Sequence, residues 1–176
     1  NAVLRRMLRR YTRERYLEVV RELREAMPGI TLSTDIIVGF PGETEDQFEA
    51  TLSLIAEADF DDAYTFKYSV RDGTPAARLG SHLPDEVSGA RLERLIEVVR
   101  ANARRKNVAR VGQVHEVLVE RPARRGGFML GRTRGNHLVL LELAAESVGE
   151  YHAVRLTGTT GSTFTGAVDA PSLAVL

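Results

Sequence analysis

Near Arg110 the hydrophobic pattern of this chain changes period. Upstream, apolar residues recur at helical spacing and alternate with short β-branched runs; downstream, short alternating runs are split by glycines and no helical period survives. That switch predicts an α/β unit over residues 1–110 followed by a small all-β unit over residues 111–176. A length of 176 residues suits one ordinary domain or two small ones. There is no internal repeat and no low-complexity segment.

Residues 12–27 read as an amphipathic helix with Thr12 as N-cap, a stripe of Tyr16, Val20, Leu23 and Met27, and a stop at Pro28–Gly29. "ITLSTDIIVGF" (30–40) reads as a mostly buried strand. Thr44 and Gln47 have the spacing of a capping box, with Phe48, Leu52 and Ile55 on the inner face of the helix they open. "DAYTFKYS" (62–69) is a second strand, and a long helix follows over about 85–105, with Val87, Leu95, Val99 and Ala103 among its apolar positions. Helix, strand, helix, strand, helix implies parallel strands joined by crossovers. Two strands cannot form a doubly covered sheet, so this part is expected to be a slice of a larger α/β unit or to pair with strands outside the chain. The runs "VGQVHEVLVERP", "GFMLGRTRGNHLVLLEL" and "GEYHAVRLTGTTGSTFTGAV" suggest a small barrel of the OB-like kind.

Composition narrows the chemistry. No cysteine is present, which excludes disulfides, thiolate metal sites and cysteine nucleophiles within this chain. His115, His137 and His152 lack partners at ligand spacing, so no metal site is expected, and no nucleophile-elbow signature occurs. Formal net charge is zero, so no overall field draws the chain to nucleic acid or membrane. Eight arginines fall within the first 24 residues and "RANARRKNVAR" (100–110) is a second basic block, each read by default as a solvated helix face. No apolar run approaches the roughly 20 residues of a membrane span. The chain does not begin with methionine and is expected to be a piece of a longer protein.

Three features could carry function. In "VGFPGE" (38–43), Gly39 and Gly42 either punctuate a strand-to-helix turn or let a flat ligand lie against the strand's carboxyl end, where α/β folds bind ligands. On the turn reading Glu43 is only a favourable charge in the helix's first turn. Asp35, within an apolar strand, must face a polar cavity or pair with an arginine. "RPARRGG" (121–127) and "GRTRGNH" (131–137) place Arg121, Arg124, Arg125, Arg132 and Arg134 on two expected loops, a pattern suited to phosphate contacts. Against it, acidic residues match the arginines of this unit, and stacking aromatics are few: Phe128, Tyr151 and Phe164.

"NAVLRRMLRRYTRERYLEVV", "STDIIVGFPGETEDQF" and "YTFKYSVRDGTPAA" resemble, in order and spacing, the methylthiotransferases of the radical S-adenosylmethionine superfamily, nearest the MiaB type that acts on N6-dimethylallyladenosine in tRNA. Residues 111–168 resemble, more loosely, the TRAM domain of those enzymes, a small β-barrel that holds tRNA. The resemblance implies the end of a partial (β/α) radical SAM barrel followed by TRAM. It also implies S-adenosylmethionine and two [4Fe-4S] clusters in the full-length enzyme. The cluster cysteines expected on the N-terminal side are absent here, so the chain alone should be inactive and should need the N-terminal remainder of the polypeptide. Carried over by position, Ile37 would pack on the adenine of S-adenosylmethionine and Gly39 would leave room for it. Glu43 would hold the turn, Tyr68 would flank the cofactor, and Asp35 and Arg71 would face substrate. With the resemblance in view, the ligand reading of "VGFPGE" is preferred.

The implied reaction is hydrogen abstraction from C2 of an isopentenylated adenosine beside the anticodon, then insertion of sulfur and a methyl group. The five arginines of the barrel would contact tRNA, and the location would be cytoplasmic with no membrane partner. Rival readings are a methylthiotransferase for threonylcarbamoyl-adenosine in tRNA or for a ribosomal protein aspartate, and a non-catalytic RNA-binding module.

Overall fold

A computed structural model of the chain describes residues 1–124 and 126–169, in two compact units, Asn1–Asn102 and Ala103–Leu176. The first unit contains helices α1 (Ala2–Arg6), α2 (Arg13–Ala26) and α3 (Glu45–Ala58), strands β1 (Ser33–Val38) and β2 (Asp62–Lys67), and most of α4 (Asp85–Arg110). The two strands are parallel, with Ile36 opposite Thr65 and Ile37 opposite Phe66, as expected for a β–α–β crossover.

Helix starts follow the sequence closely. The Thr12 hydroxyl accepts from the Arg15 amide, and Thr44 and Gln47 form the full reciprocal capping box. One face of the sheet is covered: Ile36 and Val38 pack with Phe48 and Ile55 of α3 and Leu95 and Val99 of α4. Phe48, Leu95 and Val38 are fully enclosed, each stabilising the unit by roughly 1.5–3 kcal/mol relative to exposure. A second cluster joins Val20 of α2 to Ala58 and Phe60, with Tyr16, Leu17 and Leu32 packed against it.

Several expectations need correcting. Strand β1 is not mostly buried: its residues alternate, with Ser33, Asp35 and Ile37 exposed, because the first unit covers only one face of the sheet. It also stops at Val38, since Gly39 turns the backbone to φ +74°. The inward stripe of α2 runs through Tyr16, Leu17 and Val20; Met27 has left the helix, with ψ +80°, and is 45 % exposed. Helix α4 continues through the second basic block to Arg110, and its Val87 is exposed. Among the described residues no helix is long and apolar enough to cross a membrane.

The second unit is the expected OB-like barrel. Strands β3 (Val114–Pro122), β4 (Met129–Thr133), β5 (Leu138–Leu141), β6 (Tyr151–Thr159) and β7 (Thr163–Val168) close in the order β3-β4-β5-β7-β6. β5 and β7 pair in parallel and the other pairs are antiparallel. Closure leaves no free sheet edge in the ring. The interior is filled by Val117, Val119, Met129, Val139, Leu141, Val154, Leu156 and Phe164. Phe164 is therefore core, and no base could stack on it. Glycines relieve crowding inside: a Cβ at Gly131 would lie 2.5 Å from Cγ1 of Val117.

Candidate functional site

The exit of β1 is built by a buried ion pair. Glu43 accepts from the Gly39 amide at 2.8 Å through Oε2, and the same oxygen accepts from Nη1 of Arg91 at 2.9 Å. Arg91 also donates to the Glu43 carbonyl at 2.9 Å and reaches Oε2 of Glu45. Glu43 is thus more than a surface charge in a first turn: it ties the turn to α4. Arg91, on which the pattern of the sequence offered no signal beyond its charge, is its partner. Its guanidinium and that of Arg94 stack over the Phe48 ring, 5.5 and 4.9 Å from the centroid. Arg94 in turn pairs with Glu45 and Glu49, which holds the Glu45 carboxyl below the usual range.

Both glycines of the turn have left-handed backbone, φ +74° at Gly39 and +73° at Gly42, which L-residues adopt only at a cost. The space ahead of the missing Cβ of Gly39 is taken by Ser88 of α4, whose own Cβ lies 2.7 Å from where that atom would stand. Gly39 is therefore required by helix packing as well as by backbone angle. The Gly42 amide donates to the Ser81 carbonyl at 2.7 Å, and Arg6 donates to the Gly42 carbonyl at 3.1 Å.

Beside this turn lies an open hollow bordered by Gly39, Tyr68, Ser69, Val70, His82 and Ser88. The Tyr68 ring meets Phe40 edge-on at 5.2 Å and stacks on His82 at 6.0 Å. Its hydroxyl is enclosed without a hydrogen-bond partner among the described residues, and an unpaired polar group of this kind costs about 1–3 kcal/mol.

The uncovered face of the sheet carries Asp35 and Ile37 on β1 and, in register with them, Tyr64 and Phe66 on β2. Ile37, Tyr64 and Phe66 are 38, 60 and 49 % exposed. Asp35 neither faces an enclosed cavity nor pairs with an arginine: it stands exposed on this face with no ion pair or side-chain hydrogen bond among the described residues. Tyr64 and Phe66 were not singled out from sequence, although the period-two alternation of "DAYTFKYS" could have placed them there. Arg71 follows β2, exposed in the turn closed by Thr74 donating to the Arg71 carbonyl.

In the barrel, the arginines are not confined to two loops. Arg121 lies on β3, Arg132 on β4, Arg124 in the β3–β4 loop and Arg134 in the turn after β4; Arg125 lies outside the described residues. Arg121 and Arg124 are exposed and make no side-chain hydrogen bond or ion pair among the described residues, whereas Nε of Arg132 donates to Glu120 at 2.9 Å and Nε of Arg134 to Glu116 at 2.8 Å. A hollow on the outer face is lined by those two pairs together with Leu118 and Tyr151. Among the described residues no group of histidines and carboxylates has the arrangement of a metal site.

Residues 1–55 match the Radical SAM superfamily and residues 108–168 match the TRAM domain. The chain is 46 % identical, over 94 % of its length, to the tRNA-2-methylthio-N(6)-dimethylallyladenosine synthase of Opitutus terrae and covers 35 % of that protein. Enzymes of the same name from Clostridium botulinum (strain Langeland) and Anoxybacillus flavithermus are 44 and 49 % identical over 93 and 88 % of the chain, with 37 and 30 % of their lengths covered. The chain thus spans about a third of the length of the curated relatives it matches.

Proposed function

We infer that this chain is part of a radical SAM tRNA methylthiotransferase that adds a methylthio group to C2 of N6-isopentenyladenosine beside the anticodon. The observation that carries this reading is identity of 44–49 % to enzymes of that name, running through both the Radical SAM segment and the TRAM domain. The same relatives favour this substrate over threonylcarbamoyl-adenosine or a ribosomal protein aspartate.

The residues present fit a nucleoside cofactor. The Tyr68 hydroxyl is an orphaned polar atom beside an open hollow, and Ile37 offers an exposed apolar side chain on the adjoining strand. In this reading Ile37 packs on the adenine, Gly39 and Glu43 hold the turn beneath it, and Tyr68 flanks it. Asp35 and Arg71 face the substrate nucleoside. S-adenosylmethionine supplies hydrogen abstraction at C2 and the methyl group. The chain's share is to bind, orient and exclude side reactions.

Iron–sulfur clusters do not fit this chain, because it contains no cysteine to ligate them. Their ligands are assigned to the N-terminal remainder of the polypeptide, without which the chain has no methylthiotransferase activity. The TRAM arginines contact tRNA, and the reaction belongs to the cytoplasm where tRNA is processed.

Nucleoside mass spectrometry of bulk tRNA from a strain lacking the full-length gene, beside its parent, tests the reading. Loss of the methylthio group with the isopentenyl group retained supports it. Unchanged tRNA overturns it and makes the ribosomal protein the next substrate to assay.

A further inference from the structure

The outer face of the barrel is arranged less like a phosphate clamp than like a reader of a base. Across three strands the register sets Tyr151 of β6 beside Leu118 of β3, and Leu118 beside Arg132 of β4. Tyr151 is 63 % exposed, whereas Phe164 is core and Phe128 is half-buried, so it is the one fully exposed aromatic ring among the described residues of the barrel. Among the described residues its ring has no aromatic or cationic partner and its hydroxyl makes no hydrogen bond.

Charge decides what such a surface accepts. The two arginines of the hollow are each matched by a carboxylate, Arg132 by Glu120 and Arg134 by Glu116. A phosphate entering here would gain two guanidinium groups and meet two carboxylates, with no net attraction. A base edge presents donors and acceptors side by side and needs both in return. Both pairs use only Oε1 of the carboxylate, leaving Oε2 of Glu116 and Glu120 free to accept, and Nη2 of Arg132 is free to donate.

We propose that this hollow is a pocket for a single unstacked RNA base, which stacks on Tyr151 over Leu118 and is read along its edge by the Arg132–Glu120 and Arg134–Glu116 pairs. The inference rests on the reading that the barrel contacts RNA, and adds that one of its contacts is to a base rather than to the backbone. Phosphate contact falls instead to cations without carboxylate partners, such as Arg121 and Arg124.

The test is fluorescence-anisotropy titration of the whole chain with a single-stranded RNA oligonucleotide, repeated over a series of salt concentrations. Tyr151→Ala is expected to weaken binding about ten-fold at every salt concentration, the usual scale for losing one stacked base. The slope of log K against log salt should stay unchanged, because no phosphate contact is lost. Tyr151→Phe should bind like the parent, and an abasic oligonucleotide with the same number of phosphates should not distinguish Tyr151→Ala from the parent. Equal affinity of Tyr151→Ala for the base-bearing RNA, or a shallower salt slope, would overturn the pocket while leaving RNA contact standing. Failure of the parent chain to bind RNA at all would overturn both.

Discussion

Arg91 of α4 and Glu43 of the β1–α3 turn form an ion pair of 2.9 Å in which both side chains are almost wholly enclosed, 7 and 1 % exposed. Enclosed pairs are costly to form but more costly to break from one side. Glu43→Ala should destabilise the chain by about 3–5 kcal/mol, since it strands the Arg91 charge and the Gly39 amide together. Glu43→Gln retains an acceptor for that amide and should lose less. Urea unfolding of both variants checks the order; near-parental stability of Glu43→Ala would refute it.

Gly39→Ala carries two separable penalties. The left-handed backbone costs about 1–2 kcal/mol for any L-residue, and the new methyl meets Cβ of Ser88. Adding Ser88→Gly should recover the steric part alone. A double variant as stable as the parent would show that backbone angle contributes nothing at this position.

Burial lowers the pKa of the His115 imidazole from its ordinary 6.5, and the charge of Arg110 adds to the effect. The unfolded chain therefore takes up this proton first as pH falls. Above the unfolded pKa the histidine costs nothing; stability then declines as pH drops through 6.5, and the loss levels off once the folded histidine titrates. Unfolding midpoints at about pH 7.5 and about pH 5.5 should differ, and His115→Gln should narrow the gap. Glu45, held low by Arg94, produces its own loss only below its ordinary value of 4.5, so the two windows are distinct.

Gly166→Ala should overpack the barrel. Its missing Cβ points at Val154, Val139 and Leu141, all fixed by the closed ring. Inserting a methyl group into such a core costs about 1–3 kcal/mol. Thermal unfolding should show a lowered midpoint, and adding Val154→Ala should return part of it.

Arg124→Gln is the counterpart of the Tyr151 test. Arg124 is exposed in the β3–β4 loop without a carboxylate partner, the arrangement expected of a phosphate contact. Its loss should weaken RNA binding in all sequences alike and reduce the salt slope by about one. A variant that keeps both affinity and slope would leave the loop a purely structural role.

What the sequence disclosed followed from local rules. Thr12, Thr44 and Gln47 announced their caps because capping geometry spans only three residues. The three runs that carry the barrel's strands, and the barrel itself, were legible from alternation and glycine breaks, but not the division into five strands. Less legible was anything decided by a distant partner. Nothing local to Arg91 shows that it lies under Glu43, or that Ser88 fills the space before Gly39. Phe164 looked available for stacking because a single aromatic in a strand does not reveal which face it takes until the register is known. The alternation of β1, which leaves Asp35 and Ile37 exposed, was not legible because a β-branched run looks alike whether one face or two are covered.

Closure of the barrel has a kinetic consequence. β7 is the only strand that joins β5 to β6, pairing in parallel with one and antiparallel with the other. During synthesis the ring cannot complete until Val168 has left the ribosome, and until then β5 and β6 each keep an unsatisfied edge. The β3–β6 pairing spans more sequence still than the parallel β5–β7 pairing, so closure of the ring should come late and slowly. The vulnerable interval of this protein is therefore its birth rather than its working life, and a chain truncated ahead of Thr163 should be recognised by chaperones and proteases as an unfinished one.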